Sequence, residues 1–352
     1  MHLLARIIPA TLLILAADGP AEKPPKPVAA TVESTLATES NQIRQFALDG
    51  DDATYFVSKT NPGDKDSFTL TFAAPVTVQS VAVRTGKPDG SDRLEGGTLE
   101  GSRFGTTFQE LATFKDGEAK AEPRGPLKVI RIRPAAGEKH PLVIREIAID
   151  SEPQVAVFKY PVEFTVDISD APEMRDWAEK AARTCEDWYG RINEELRSDG
   201  YRPIHRVRMT LKRGIGPPAF ASNGQITGKV EWFKEHPGDV GAMIHETCHI
   251  VQRYRSRTNP GWLVEGVADY IRFFKYEPGK VGPINAQRAH YDGNYRVTAR
   301  FLDYATEKYD KQLVLKLNKA MREGTYKDQL FTDLTGKTLA ELDEEWRATL
   351  KK

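Results

Sequence analysis

His245-Glu246-Thr247-Cys248-His249, followed sixteen positions later by Glu265 in Trp262-Leu263-Val264-Glu265-Gly266-Val267-Ala268-Asp269, decides how the rest of the chain is read. On an α-helix the two histidines lie four residues apart, so both imidazoles project from one face and can grip a single ion. Glu246 stands beside the first of them. A carboxylate there can take a proton from water whose pKa zinc lowers to about 7 and pass it to a leaving amine. Catalytic zinc needs a third protein ligand and one open position, and Glu265, opening a second helical pattern, is the candidate. Asp269, one turn further on the same face, can orient a ligand histidine.

The apolar spacing agrees with two helices meeting at one ion. Val240, Ile244, Cys248 and Val251 recur on the side opposite the histidines, and Asp239 is placed to cap that helix. Leu263, Val267, Tyr270, Ile271 and Phe274 form a second buried stripe that leaves Glu265 and Asp269 together on another face.

At 352 residues the chain has room for two domains. Its 50 Lys+Arg balance 50 Asp+Glu, which leaves no electrostatic footprint for nucleic acid or an anionic membrane. Residues 1–21 read as a signal peptide, basic at His2 and Arg6 and apolar from Ile7 to Ala17, too short to span a bilayer. That predicts a secreted, periplasmic or cell-surface protein with no transmembrane segment in the mature chain. The prolines at 20, 24, 25 and 27 make 22–30 an extended linker.

Residues 31–151 change character. Phe68-Leu70-Phe72, Val76 to Val83, Val129 to Arg133 and Val143 to Ile149 alternate between turn-forming clusters, the pattern of an all-β jelly-roll sandwich. After Pro153, residues 155–352 mix strands and helices. Tyr160 to Ile168, Arg206 to Lys212 and Gln225 to Phe233 read as strands. Asp170 with Glu173 reads as a capping box for a helix running to Gly200, and Thr338 with Glu341 as a second box. The Gln225 to Phe233 strand, just before the metal helix, is the expected edge for a substrate peptide. Cys185 and Cys248 both fall on apolar stripes and read as buried thiols, with a disulfide between them left open. Tyr295, Tyr291 and, behind them, His290 are the candidates to stabilise an oxyanion, by position alone.

From Phe220-Ala221-Ser222-Asn223 through the His-Glu-Thr-Cys-His helix to Tyr295-Arg296-Val297-Thr298-Ala299-Arg300-Phe301, the chain resembles the basic secretory proteins, peptidases of plants and bacteria in the zincin superfamily. The resemblance implies an α+β zincin-like metallopeptidase with His245, His249 and Glu265 on zinc, Glu246 as general base, and a peptide or protein as substrate. The neutral charge balance departs from the family's name. Residues 31–151 are similar to discoidin, or coagulation-factor type C, domains and related galactose-binding-like modules, through Phe46-Ala47-Leu48-Asp49-Gly50-Asp51-Asp52, Leu99-Glu100-Gly101-Ser102 and Ile144-Arg145-Glu146-Ile147. That likeness implies a glycan or cell-surface ligand and a structural calcium held around Asp49, Asp52, Thr54 and Glu146, oxygen donors suited to it. A self-capping Asp-Gly turn is the metal-free alternative for that loop. For the whole chain the rival reading is a non-catalytic carbohydrate- or surface-binding protein on a retired zincin scaffold.

Overall fold

A computed structural model describes residues 25–256 and 258–350. The expected signal peptide lies outside the described residues. The linker expected over 22–30 ends early: the Val28 amide donates to Gln154 and its carbonyl accepts from Ala156, so the chain is already tied into the fold there.

The first half is a β sandwich. Its strands are β1 (Ala30–Ser34), β2 (Phe56–Val57), β3 (Phe68–Thr85), β4 (Gly97–Ser102), β5 (Gln109–Thr113), β6 (Glu118–Ala121), β7 (Gly125–Pro134) and β8 (Val143–Glu152). They connect in the order β2-β8-β3-β7-β4-β5, with β1 and β6 also paired to β3. The two runs expected as separate strands, Phe68 to Phe72 and Val76 to Val83, form the single strand β3. Its beginning pairs with β1 and β7 and its end with β8 and β6, so one strand serves both layers. The register against β7 shifts between Thr71 and Val76, around Pro75, which has no amide to give to a ladder. Phe56, Phe68, Leu70, Phe72, Leu99 and Ile132 fill the space between the layers.

The second half is α+β. A four-stranded sheet runs β11-β12-β10-β9, from β9 (Glu163–Asp167), β10 (Arg206–Lys212), β11 (Ala219–Ser222) and β12 (Gln225–Lys229). The chain around it supplies α1 (Arg175–Glu195), α2 (Val230–Glu235), α3 (Val240–Gln252), α4 (Gly261–Tyr270), α5 (Tyr295–Lys308), α6 (Leu313–Glu323), α7 (Gln329–Thr335) and α8 (Leu339–Thr349). A π-helical turn, Ile271–Tyr276, prolongs α4. Among these helices none is long and apolar enough to cross a membrane.

Three local expectations are corrected. Asp170 does not cap α1, because Pro172 first imposes a 3-10 turn; its carboxylate accepts from the Arg213 amide instead, and the helix stops at Glu195 rather than Gly200. Val230 to Phe233, expected to extend a strand, turns into α2. The strand that remains, β12, is paired on both sides, to β10 and to β11, so it has no free edge. The Thr338–Glu341 capping box is present.

Two close approaches fix α3 and α4. A methyl group on Gly228 of β12 would come within 2.4 Å of Met243 Cε, so α3 lies directly on the sheet. One on Gly266 would come within 2.2 Å of Thr298 Cγ2, so α5 presses on α4 beside Glu265. Cys185 of α1 and Cys248 of α3 are buried and unpaired, and burial pushes the Cys185 thiol up to about 12.

The sandwich packs on the second half through a buried polar seam. Arg44 ion-pairs with Glu163 at 3.2 Å and Glu186 at 3.1 Å. Thr38 donates to Glu163 at 2.7 Å, and the Val162 amide donates to Gln45 Oε1 at 2.8 Å.

Candidate metal centre

Asp239 starts α3 by accepting from the Ala242 amide at 3.2 Å, and the same carboxylate is held by Arg272 at 2.6 Å and by the Trp232 indole at 3.0 Å. The helix start is thereby tied to the turn that follows α4. Ile244, Cys248 and Val251 are fully buried, which leaves His245, Glu246 and His249 to face a cavity.

Three donor atoms converge there. His245 Nε2 lies 3.0 Å from His249 Nε2, and Glu265 Oε2 lies 3.2 Å from the first and 3.4 Å from the second. They form the metal-ligating cluster found among the described residues. The hydrogen bonds on the far side of each ring show why these residues could hold a cation. His245 Nδ1 meets Asp269 Oδ1 at 2.6 Å, and a carboxylate only accepts, so Nδ1 carries the hydrogen. His249 Nδ1 meets Gln252 Oε1 at 2.7 Å, while the Gln252 amide donates to the Val264 carbonyl at 2.9 Å. With the Nδ1 side of each ring engaged, Nε2 of both rings points at one carboxylate oxygen, and three such groups at one point call for a positive charge between them, a metal ion or a proton.

The electrostatics carry the same message. Burial alone lowers His245, yet its hydrogen bonds to Asp269 and Glu265 outweigh burial and bring it up to about 9, so a proton takes the place when no ion does. Burial opposes ionisation of Glu265, but the two imidazoles hold it well below the usual carboxylate range. Burial raises Glu246, with His245 and His249 opposing and Glu265 adding to the rise; the Ala221 amide of β11 donates to it.

The cavity in front of these groups measures about 590 Å³ and includes Phe220, Ala221, Phe273, Tyr295 and Arg296 in its lining. Its rim is β11, the true edge of the sheet, in place of the Gln225 to Phe233 strand expected from sequence. Asn223-Gly224, both at positive φ, form the hairpin turn between β11 and β12, and that dipeptide was the readable signal that two strands meet here. Tyr295 is 55% exposed at the mouth, its ring centroid 6.2 Å from that of His245. Tyr291 packs instead on Trp262 and Phe301, and His290 pairs with Asp292 and Asp343; neither lines this cavity. Gln252 went unnoticed in the sequence. Its position three residues after His249 on the same helix is what could have pointed to it.

The second expected ion site is less complete. Asp49 accepts from the Thr54 hydroxyl at 2.8 Å and the Asp51 amide at 3.0 Å, and Asp52 is ion-paired with Arg84. Thr54 is thus engaged within the turn, as in the self-capping alternative, and Asp52 is engaged by Arg84 of β3. Glu146 keeps a buried Oε2 with no partner; burial, with the nearby charges of Asp49 and Asp52, pushes it up to about 7.

Outer partners of metal-binding histidines typically contribute 10–100-fold to affinity. Asp269→Asn and Gln252→Leu should each weaken zinc binding by about that factor in chelator competition, with little change in melting temperature. Unchanged zinc affinity in both variants would overturn the assignment of these two residues as orienting partners.

No curated protein matches the chain. The sandwich is similar to CBM32-1 from a family 31 glycoside hydrolase of Clostridium perfringens, at 20% identity and a TM-score of 0.30, covering 34% of this chain and 92% of that one. The family 32 module of C. perfringens NanJ, solved in complex with galactose, matches at 16% identity and a TM-score of 0.29, covering 34% and 92%. Residues 221–346, which carry both histidines, Glu246, Glu265 and Tyr295, match the family model described as peptidase of plants and bacteria.

Proposed function

We propose that this protein is an exported zinc metallopeptidase whose sandwich attaches it to a glycan or cell surface. The observation that supports the hydrolase reading is the convergence of two imidazole nitrogens and one carboxylate oxygen beside a buried Glu246 that forms no ion pair among the described residues. His245, His249 and Glu265 would hold the ion. When bound, zinc supplies a Lewis acid for the scissile carbonyl and acidifies water.

The chain's own residues would do the rest. Glu246 accepts the proton of the attacking water and returns it to the leaving amine; its raised affinity for protons suits a group that must do both. The edge of β11 offers backbone groups to an extended peptide, with Phe220 and Tyr295 exposed on either side of the entrance. The Tyr295 hydroxyl would donate to the oxyanion. Glu246→Gln should keep close to one zinc per chain by elemental analysis and lose ~10²–10⁴-fold in peptide cleavage. Full turnover by the purified variant would remove Glu246 from the reaction, and folded wild type that binds no zinc would sink the hydrolase reading.

In the sandwich, Asp49 and Glu146 are neighbouring carboxylates, Glu146 with a buried unpartnered oxygen, and we propose that they hold the structural calcium, helped by carbonyls of the Asp49 to Thr54 turn. Millimolar calcium should raise the melting temperature of the wild type but not of Glu146→Gln. Equal shifts, or none in either, would refute the site.

Phe104, 76% exposed and capped by the Arg103 guanidinium, offers a flat apolar surface to the face of a sugar ring. Glycan-array binding that disappears in Phe104→Ala is expected. Binding that survives would place the ligand elsewhere.

A further inference from the structure

A second cavity, about 810 Å³, opens on the other side of His249. It shares Ala221 and His249 with the one already described, so the two form a single trough that the ligand histidine divides. Their linings differ in chemistry. On the Tyr295 side stand Pro217, Pro218, Phe220 and Phe273 with the acids Glu246, Glu265 and Asp269, the exposed Arg296, and Arg272, whose guanidinium is neutralised by Asp239 and Glu277. On this side stand Arg206 and His205 from the start of β10, Arg253 at the end of α3, and Asn223 in the β11–β12 turn, and among the described residues no Asp or Glu lines the space.

The cations here are available. Arg253 is exposed and has no carboxylate partner among the described residues. Its φ of 41° places it as the left-handed cap of α3, so its backbone position is fixed by the helix that carries His245 and His249. Arg206 spends one guanidinium nitrogen on the Ser40 carbonyl of the sandwich and is paired with no acid. His205 donates Nδ1–H to the Pro161 carbonyl at 2.9 Å and stacks edge-on with Phe46, which locks the ring in place. Asn41, from the sandwich, closes the far wall. A neutral protein has thus gathered unpaired positive charge in one concavity one residue's length from the metal ligands.

Resting on the peptidase reading above, we propose that this cavity is a carboxylate-binding subsite: the preferred peptide carries an acidic group on one side of the scissile bond, held by Arg253 and Arg206. Two guanidinium forks in a concave, carboxylate-free setting give charge-assisted hydrogen bonds to a planar carboxylate. The sandwich takes part in this recognition through Asn41 and through the Ser40 carbonyl that holds Arg206.

The test uses pairs of peptides with Glu or Gln at each of the three positions on either side of the cleaved bond, each made with a free and an amidated C-terminus. Cleavage is read as kcat/KM on zinc-supplemented wild type, and binding as fluorescence anisotropy on zinc-supplemented Glu246→Gln. At one position Glu should exceed Gln by about fivefold or more in both readouts. The ratio should fall below about twofold in Arg253→Asn, chosen because Asn accepts a positive φ, and in Arg206→Gln. The preference should persist in amidated peptides; an advantage of free acids over amides that is the same for Glu and Gln would place the recognised carboxylate at the chain terminus and overturns the side-chain assignment. A Glu preference in binding without cleavage keeps the subsite and rejects the hydrolase reading. Equal handling of Glu and Gln, no peptide binding at all, or a ratio unmoved in both arginine variants overturns the proposal.

Discussion

Two imidazole nitrogens 3.0 Å apart, each ring tied through Nδ1 to a partner on its far side, are the constraint on which the second half of the molecule depends. Such a pair, facing one carboxylate oxygen, needs a cation or a proton between its members and supports that hold both rings in place. Met243 on Gly228 sets the height of α3 above the sheet, Thr298 on Gly266 sets the distance of α5 from α4, and Asp239 binds the start of α3 to Arg272 beyond α4. Together these contacts tie α3, α4 and α5 to one another and to the sheet, in an interior packed at crystal-like density. The ligands are exact in place because their supports are stiff.

The helical half of this site was legible because its signal is periodic. His245, His249 and Asp239 sit at spacings that only a helix makes meaningful, and Glu265 with Asp269 repeats the argument one helix later. The sheet was less legible because edge and centre differ in partners, not in pattern. Gln225 to Lys229 alternates in either case, and only the Asn223-Gly224 turn could have announced that β11 lies outside it. The runs on either side of Pro75 read as two strands, but Pro75 sits at a register shift inside one long strand. Gln252 was missed because a glutamine on a helix carries no chemistry until its orientation is known.

The trough across the site is chemically lopsided, with aromatic rings, acids and Arg296 toward Tyr295 and, toward Arg253, cations with no acid among the described residues. That asymmetry arises from ordinary structural choices: where α3 ends, which residues begin β10, and which acids already neutralise Arg272. A chain with zero net charge can still present a strongly signed surface when its pairs are sorted by location.

The seam made by Arg44, Glu163 and Glu186 bears on how such a protein could have been assembled. Modules joined like beads can be exchanged freely, since neither needs the other to balance its interior. Here a guanidinium from one half is the counter-ion of Glu163 in the other and shares Glu186 with Arg183, so a foreign sandwich lacking Arg44 would leave Glu163 buried without its cation, a defect of about 3–5 kcal/mol. The two halves are therefore complementary at this seam, and a sandwich exchanged for another would have to bring its own cation to the same spot.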